Sequence, residues 1–326
     1  MHNANQSRRT FLKSSGIAAT AASLKPFSLL ADDADDADDA DDQAIIDIHQ
    51  HINYSGRDNE SFLRHQEIMG IRKTVLLPAG RVIDRASTHA GKSNGLAALI
   101  HGNVAGMRLV KAYPEKYVTF ANEVPDVEGA VAEIEKYLKL GAIGIGELKF
   151  NLDIDSKPMR EIFSLASDHE VPVLIHFQQG MYNHGLDRFH KILEKYPKVT
   201  FIGHAQTWWG NIDKAHDQKV MYPKGKVIQG GISDRLLTDY KNMFGDLSAG
   251  SGQNSLTRDE EHARGFLDRH QNKLMFGSDC SDKIGEGDGC TGAGTLALLK
   301  KLAPNRKAWQ KIVNENATSV MKLAKV

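Results

Sequence analysis

Two histidines separated by one residue close a short apolar run near the beginning of the sequence. The run spans residues 44–51 and reads Ala-Ile-Ile-Asp-Ile-His-Gln-His. On a β-strand, alternate side chains point to the same face, so His49 and His51 would project together, roughly 6–7 Å apart along the chain. Two imidazoles at this spacing can converge on one cation. The pair therefore indicates a metal site that needs further ligands.

Three later apolar runs also end in a polar side chain, at His176, His204 and Asp279. Histidine and aspartate are ligands of zinc, manganese and iron. A single histidine at the end of a strand is more often a hydrogen-bonded structural group than a ligand. Four such runs in order within one chain nevertheless favour a metal centre assembled at strand ends.

The elements that would position these residues alternate along the chain. Strands are predicted at 44–51, 73–79, 117–124, 142–149, 172–178, 199–205, 243–248 and 273–279. Helices are predicted at 61–69, 93–113, 127–140, 157–169, 185–196, 233–241, 257–271 and 305–324, and a capping-box spacing at Thr257 to Glu260 marks the start of one of them. Strands that alternate with helices pair in parallel through right-handed crossovers.

Eight such strands predict an α/β fold, a single-domain (β/α)8 TIM barrel over residues 44–326, with its active site at the carboxyl ends of the strands. The alternative is an open, doubly wound sheet. It is less favoured because no glycine-rich phosphate loop follows the first strand, which ends in His-X-His instead.

Length and composition fit a globular protein of this size. The chain has 326 residues, of which 41% are hydrophobic and 25% charged, and its formal net charge is +0. The absence of a basic excess argues against a nucleic-acid-binding protein. The sequence does not determine the oligomeric state, and it is compatible with a homo-oligomer.

The amino-terminal residues 1–31 are typical of an export signal. Ser7-Arg8-Arg9-Thr10-Phe11-Leu12-Lys13 resembles the twin-arginine motif, and a modestly apolar, alanine-rich stretch follows. That stretch contains Lys25 and Pro26, and it is too short and too weakly apolar to form a stable membrane span. We therefore predict recognition by the twin-arginine export machinery and a mature protein in the periplasm or outside the cell.

Residues 32–43 repeat Asp-Asp-Ala and carry a dense negative charge. Such a segment repels itself and has no apolar surface to bury. It is predicted to be a disordered acidic linker between the signal and the barrel.

The two cysteines, Cys280 and Cys290, lie ten residues apart after the last predicted strand. In an oxidising compartment they could form a disulfide that pins this loop. They could equally remain free thiols, and Cys280 could lie near the metal because it adjoins Asp279.

The ordered set of candidate ligands resembles a known superfamily. Asp-Ile-His-Gln-His on the first strand, His176 on the fifth, His204 on the sixth and Gly-Ser-Asp279 on the eighth are similar to the amidohydrolase superfamily. The resemblance is to its amidohydrolase-related branch, which includes aminocarboxymuconate semialdehyde decarboxylase. Asn316-Ala317 in the last segment resembles that branch too.

The candidate ligands suffice for a catalytic ion. His49, His51, His176 and Asp279 could hold one divalent ion, with zinc favoured and water as a fifth ligand. Asp279 would serve both as a ligand and as the general base for metal-activated water. By the resemblance, His204 would contact the attacking water or the substrate carbonyl; a second metal ligand or a structural role is the alternative.

The fourth strand departs from many binuclear relatives, which carry a carboxylated lysine there. This sequence reads Gly-Ile-Gly-Glu147-Leu-Lys149-Phe. Glu147 is expected to point at the metal region as a ligand, with Lys149 as its partner or as a contact for a substrate carboxylate. Carboxylation of Lys149 is the minor alternative, so the number of ions, one or two, remains open.

Residues in the predicted loops outline a pocket for a small-molecule substrate. Tyr182 follows the fifth strand, and Trp208, beside Trp209, follows the sixth. The tryptophan pair suits a flat or cyclic substrate, although it could simply cover the barrel rim. Arg57, which follows the first strand, is a candidate contact for a substrate carboxylate.

The leading hypothesis is a metal-dependent hydrolase that uses metal-activated water on a C–N, lactone or ester bond. The second is a metal-dependent, non-oxidative decarboxylase of an unsaturated or aromatic carboxylic acid, because members of the resembled branch carry out that reaction. The third is an exported binding protein without catalytic activity, which the intact set of histidines and Asp279 argues against.

Overall fold

The computed structural model describes residues 44–83, 87 and 99–324. The predicted signal at 1–31 and the linker at 32–43 lie outside these residues. Within the described ranges, every helix is too short or too polar to cross a membrane.

Eight short strands follow one another along the chain. They are β1 (Ile45–Gln50), β2 (Ile71–Leu76), β3 (Tyr117–Thr119), β4 (Ile145–Leu148), β5 (Val173–His176), β6 (Phe201–His204), β7 (Met243–Asp246) and β8 (Leu274–Met275). Neighbouring strands pair in parallel within two ladders, one from β1 to β3 and a second from β4 to β8.

Backbone hydrogen bonds beyond the strand ends connect the two ladders on both sides. The amide of Ala121 donates to the carbonyl of Gly144 at 2.8 Å, which joins the β3 and β4 segments. On the other side, Ile48 donates to Phe276 at 3.1 Å and Asp279 donates to His49 at 2.8 Å, which joins β8 to β1. The sheet therefore closes on itself, and the (β/α)8 barrel predicted from the sequence is confirmed.

Helices and short helical turns connect the strands and cover the ends of the barrel. The α-helices are α1 (Asn59–Ile68), α2 (Asn103–Ala112), α3 (Ala130–Lys139), α4 (Lys157–His169), α5 (His190–Lys195), α6 (Gln206–Gly210), α7 (Ile232–Asp239), α8 (Ala249–Thr257), α9 (Glu260–His270), α10 (Thr291–Leu302), α11 (Arg306–Gln310) and α12 (Asn316–Val320). Two 3-10 turns lie at Tyr54–Gly56 and Leu186–Arg188, and a π-helical turn at Lys311–Glu315 joins α11 to α12.

Several helix boundaries differ from the predictions. The predicted capping box at Thr257 is wrong: Thr257 ends α8, and Asp259 caps α9 by accepting a hydrogen bond from the amide of His262 at 3.3 Å. Helices α6, α8 and α10 were not predicted at all. The terminal helix predicted at 305–324 is divided into three parts by its π-helical turn.

Two apolar layers hold the barrel. One joins Ile46 and Ile48 of β1 to Leu174 of β5 and Ile202 of β6. Since β1 and β5 are not neighbours in the sheet, this cluster fills the barrel interior. A second and larger cluster packs the helices against the outside of the strands, as Phe163 of α4 does. Because apolar side chains fill both layers, the polar side chains of the strands lie at the carboxyl ends.

Candidate metal centre and active site

The carboxyl ends of five strands bring the predicted ligands together. His49 lies in β1 and His51 directly after it, Glu147 lies in β4, and His176 and His204 end β5 and β6; Asp279 follows β8. Because parallel strands in a barrel end at the same face, residues far apart in sequence meet there. All of these side chains are buried except that of Asp279, which is 12% exposed.

A first group of ligand atoms converges from His49, His51, Glu147 and Asp279. Nε2 of His49 and Nε2 of His51 are 3.2 Å apart, and Oε2 of Glu147 lies 3.7 and 3.6 Å from them. Oδ1 of Asp279 lies 3.8 and 3.4 Å from the same two nitrogens. Four ligands about 2.0–2.1 Å from a tetrahedral ion lie roughly 3.4 Å from one another. The four atoms therefore surround a space of the size that a divalent ion requires.

A second group shares Glu147 with the first. Oε1 of Glu147 lies 2.5 Å from Nδ1 of His176 and 3.8 Å from Nε2 of His204. These three residues also lie close enough together to hold an ion. The two oxygens of the Glu147 carboxylate thus face two different groups of ligands.

The ring orientations of the first two histidines are fixed by their other nitrogens. Nδ1 of His49 donates to Oδ2 of Asp246 at 2.6 Å, and Nδ1 of His51 donates to the carbonyl of Leu77 at 2.7 Å. A proton held on Nδ1 leaves the lone pair of Nε2 free for a metal, which is the usual arrangement behind metal-binding histidines. Oδ2 of Asp246 also lies 3.3 Å from Nδ1 of His204.

The three carboxyl groups of the site are held ionised. Burial acts to raise their pKa values, but neighbouring charges and hydrogen bonds outweigh it. Lys149 and His176 hold the pKa of Glu147 well below its ordinary value, His49 and His204 hold that of Asp246 at about 2, and His49 and His51 lower that of Asp279. Burial and the Lys149 cation lower the pKa of His176 to about 4, so its imidazole is neutral and able to bind a metal.

One atom of the site lacks a partner within the described part of the chain. Oδ1 of Asp279 is buried, yet it accepts no hydrogen bond there. An unpaired buried carboxylate oxygen is costly, and a bound cation would satisfy it. Together with two Nε2 atoms turned inward, this observation fits a resident divalent ion on His49, His51, Glu147 and Asp279.

The backbone around Asp279 is held in an uncommon conformation. Asp279 has a φ of 40°, a left-handed value that costs a non-glycine residue on the order of 1–3 kcal/mol. Asp47 supports this segment, because its Oδ1 accepts a hydrogen bond from the amide of Ser278 at 2.9 Å. A Cβ atom at Gly277 would lie 2.9 Å from Cβ of His49 and 2.5 Å from Oδ1 of Asp246, so only glycine fits between them.

A cavity of about 340 Å³ opens above the ligands. Tyr54, Lys149, Gln178, Tyr222 and Asp279 are among the residues that line it. The Lys149 ammonium lies 5.6 Å from the centre of the Tyr182 ring, which in turn lies 5.4 Å from the ring of His176. The structure therefore places Lys149 and Tyr182 beside the ligands.

Two predicted substrate contacts are wrong. Trp208 is fully buried in α6, where it stacks against Phe177 with the ring centres 6.2 Å apart, so it packs the wall of the barrel and does not face the cavity. Arg57 is also fully buried. Its guanidinium donates to Oε1 of Gln50 and to the carbonyl of Asp282, both at 2.6 Å, and cannot reach a substrate carboxylate.

Asp246 was not predicted as a site residue, although the sequence contains a signal for it. The apolar run Met243-Phe244-Gly245 is followed by the polar side chain of Asp246, as in the runs that end at His176, His204 and Asp279. Tyr54 was also missed. It lies in the 3-10 turn after β1, its ring packs 5.1 Å from that of His51, and the charge of Asp279 raises the pKa of its hydroxyl group.

Comparison by sequence finds no matching protein-family model and no matching curated protein. Comparison of structures does find matches. A TIM-barrel protein from Bordetella bronchiseptica, described as uncharacterized, shares 14% identity at a TM-score of 0.59, covering 86% of this chain and 99% of that chain.

Two further matches have activities in their descriptions. A dihydroxybenzoic acid decarboxylase from Polaromonas sp., solved with manganese and the inhibitor 2-nitroresorcinol, shares 13% identity at a TM-score of 0.54, covering 87% of this chain and 98% of that chain. A probable 2-pyrone-4,6-dicarboxylic acid hydrolase from Acinetobacter baumannii, with citric acid bound, shares 13% identity at a TM-score of 0.54, covering 85% and 99%.

Proteins described as amidohydrolases have the same fold as well. By its fold, the chain is therefore similar to the amidohydrolase-related TIM-barrel enzymes, and the resemblance predicted from the sequence is confirmed at that level. The identities of 13–15% establish the fold alone.

Proposed function

We propose that this protein is a metal-dependent hydrolase of a small, negatively charged molecule with a C–N, lactone or ester bond. The observation that carries the proposal is the position of Glu147. Its Oε2 faces His49 and His51, whereas its Oε1 faces His176 and His204. A carboxylate between two sets of ligands suits a pair of ions, and paired ions are common in hydrolytic sites.

The assignment of residues to ions follows from these groups. His49, His51, Glu147 and Asp279 would hold one ion, and Glu147, His176 and His204 a second. Divalent ions bound there would polarise the scissile carbonyl and lower the pKa of water to about 7. Zinc remains our proposal for their identity, because imidazole and carboxylate ligands suit it.

The residues of the chain supply the remaining chemistry. Asp279 takes the proton of the attacking water, since its carboxylate lies at the floor of the cavity and is held ionised by the adjacent histidines. Tyr54 lines the same cavity as Asp279, and we assign it the role of fixing the orientation of that carboxylate. Lys149, at the wall of the cavity, binds a carboxylate of the substrate.

Metal analysis of two double variants, each of which removes one pair of histidine ligands, tests the number of ions. We expect the variant His49→Ala with His51→Ala to lose about one ion per chain relative to the unmodified protein, and the variant His176→Ala with His204→Ala to lose another. If only the first variant loses metal, the active site holds a single ion and Glu147 does not bridge.

Isotope labelling tests the reaction. In water enriched in ¹⁸O, hydrolysis of a lactone, ester or amide by the metal-loaded protein must place one labelled oxygen in the product acid. Release of carbon dioxide from an aromatic acid, without incorporation of label, would replace the hydrolase with a decarboxylase. That second function has support of its own, because the Polaromonas decarboxylase with manganese shares this fold.

A further inference from the structure

The two cysteines of the chain meet a buried histidine beside the catalytic pocket. Cys280 directly follows Asp279, Cys290 precedes α10, and His65 lies in α1. Their exposed fractions are 3%, 1% and 0%. The sulfurs are not bonded to each other, so the disulfide considered from the sequence is not formed in this structure.

The distances within this group match those of a thiolate metal site. Sγ of Cys280 lies 3.7 Å from Sγ of Cys290, which lies 3.4 Å from Nε2 of His65, and all three atoms fall within 4.8 Å of one another. A tetrahedral zinc ion, with bonds of about 2.3 Å to sulfur and 2.0–2.1 Å to nitrogen, separates its ligands by roughly 3.4–3.8 Å. The two measured separations lie in this range.

Two further polar groups adjoin the sulfur atoms. Sγ of Cys290 accepts a hydrogen bond from the amide of Ala293 at 3.4 Å and so caps a 12-residue helix, whose positive end faces this sulfur. Oδ2 of Asp282 lies 3.8 Å from Nε2 of His65. Apolar packing alone would account for two buried thiols next to Met69, but not for an imidazole and a carboxylate directed at the same place.

We propose that Cys280, Cys290 and His65 form a separate metal site for a thiolate-binding divalent ion such as zinc. Binding releases the two thiol protons and leaves the fourth coordination position to water or to Asp282. The ion would tie the segment after β8 to α1 and so restrain the chain immediately beyond Asp279. This inference does not depend on the proposed hydrolase, because none of its three donor residues belongs to the catalytic ligand set and two of its donors are sulfur atoms.

Cobalt substitution tests the site independently of catalysis. Metal-free full-length protein would be prepared under reducing conditions and titrated with Co²⁺. A sulfur-to-cobalt charge-transfer band in the near ultraviolet requires a thiolate ligand, and the sequence contains only two cysteines. We expect a band that reaches the intensity of about one thiolate-bound ion per chain, disappears on addition of zinc, and persists in the variant His49→Ala with His51→Ala.

Variants assign the ligands. Cys280→Ser and Cys290→Ser should each lose most of the band, and His65→Gln should weaken cobalt binding at least about tenfold. His184→Gln, which changes a histidine that binds Asn151 away from the cysteines, is the matched control and should leave the band unchanged. If a cysteine variant fails to fold, His65→Gln and the titration of the unmodified protein still decide the question.

Two outcomes would overturn the proposal. One is the absence of the band while both thiols react freely with a thiol reagent. The other is a native disulfide, seen as a mass lower by two hydrogens together with a loss of reactive thiols.

Discussion

Asp246 and His49 form a fully buried pair in which Nδ1 of the imidazole donates to the carboxylate at 2.6 Å. The two residues are 197 positions apart and meet because β7 and β1 end at the same face of the barrel. The pair leaves Nε2 of His49 directed at His51, Glu147 and Asp279. Asp246 thereby determines which nitrogen of His49 can bind a metal.

Replacing the carboxylate of Asp246 should weaken the metal site. Asp246→Asn keeps the shape of the side chain but removes the negative charge that orients His49, so we expect metal affinity to fall about 10–100-fold. Competition with a chelator of known affinity measures the change. Asp234→Asn is the matched control, since Asp234 lies 2.6 Å from another buried histidine, His270, outside the site. Equal losses in both variants would mean that Asp246 acts through general stability.

Asp279→Asn should abolish turnover while the fold survives. The amide cannot take a proton from water, so the rate should fall on the order of 10²–10⁴-fold. Circular dichroism and the melting temperature check the fold, and a substrate assay measures the rate. Asp288→Asn, on the exposed part of the same loop, should have the rate of the unmodified protein. An active Asp279→Asn variant would remove the general-base assignment.

The sequence predicted the barrel and the side chains that meet at its strand ends, because both depend on local patterns. Short apolar runs ending in histidine or aspartate mark the strand ends, and the closure of the barrel brings those ends together without any knowledge of the loops. His49, His51, Glu147, His176, His204 and Asp279 could therefore be named before the structure was known, although the sharing of Glu147 between two groups could not.

Features that depend on tertiary packing could not be predicted in this way. Strand alternation says nothing about Arg57 or Trp208, which lie in connecting segments and are turned inward by contacts with distant residues. Helices α8 and α10 begin with Ala-Gly-Ser-Gly and Thr-Gly-Ala-Gly, and glycine disfavours helices by about 1 kcal/mol per residue. They form nevertheless, because α8 packs against both α6 and α10.

Lys149 should determine the preference for acidic substrates. Lys149→Met removes the cation at the cavity wall, and the loss of a charged hydrogen bond should raise KM for a carboxylate-bearing substrate about tenfold or more. A neutral ester or amide of the same substrate should be affected much less. Lys157→Met, a change on the surface of α4, is the control. An equal loss for acidic and neutral substrates would indicate that Lys149 supports the metal site instead.

Export should require the paired arginines. Arg8→Lys with Arg9→Lys preserves the charge but alters the motif that the twin-arginine machinery reads, so the variant should accumulate in the cytoplasm as uncleaved precursor. Cell fractionation followed by mass spectrometry of the mature amino terminus measures both effects. Lys13→Arg is the control, because it also exchanges one basic residue for another. Normal export of the double variant would exclude this route.

The interaction of Asp234 with His270 should make the free energy of unfolding depend on pH. Burial raises the pKa of Asp234, but the hydrogen bond to His270 and the charge of Arg269 outweigh it and lower the pKa below its ordinary value. A carboxyl group with a lowered pKa in the folded state stabilises the protein above its unfolded pKa of about 3.9, and this contribution is lost as the pH falls through the folded value. Asp234→Asn should therefore destabilise the protein by about 1–3 kcal/mol at pH ~7.

The difference in unfolding free energy between the unmodified protein and the Asp234→Asn variant should become smaller as the pH falls below ~4, because the carboxyl group of Asp234 then takes up a proton in the folded state. Urea unfolding at a series of pH values measures this difference. Asp268→Asn is the control, because it changes a carboxylate on α9 that accepts a hydrogen bond from the neighbouring Gln271. A difference in unfolding free energy that is independent of pH would show that Asp234 contributes through packing and neutral hydrogen bonds, because only the ionised carboxylate can couple stability to protons in this direction.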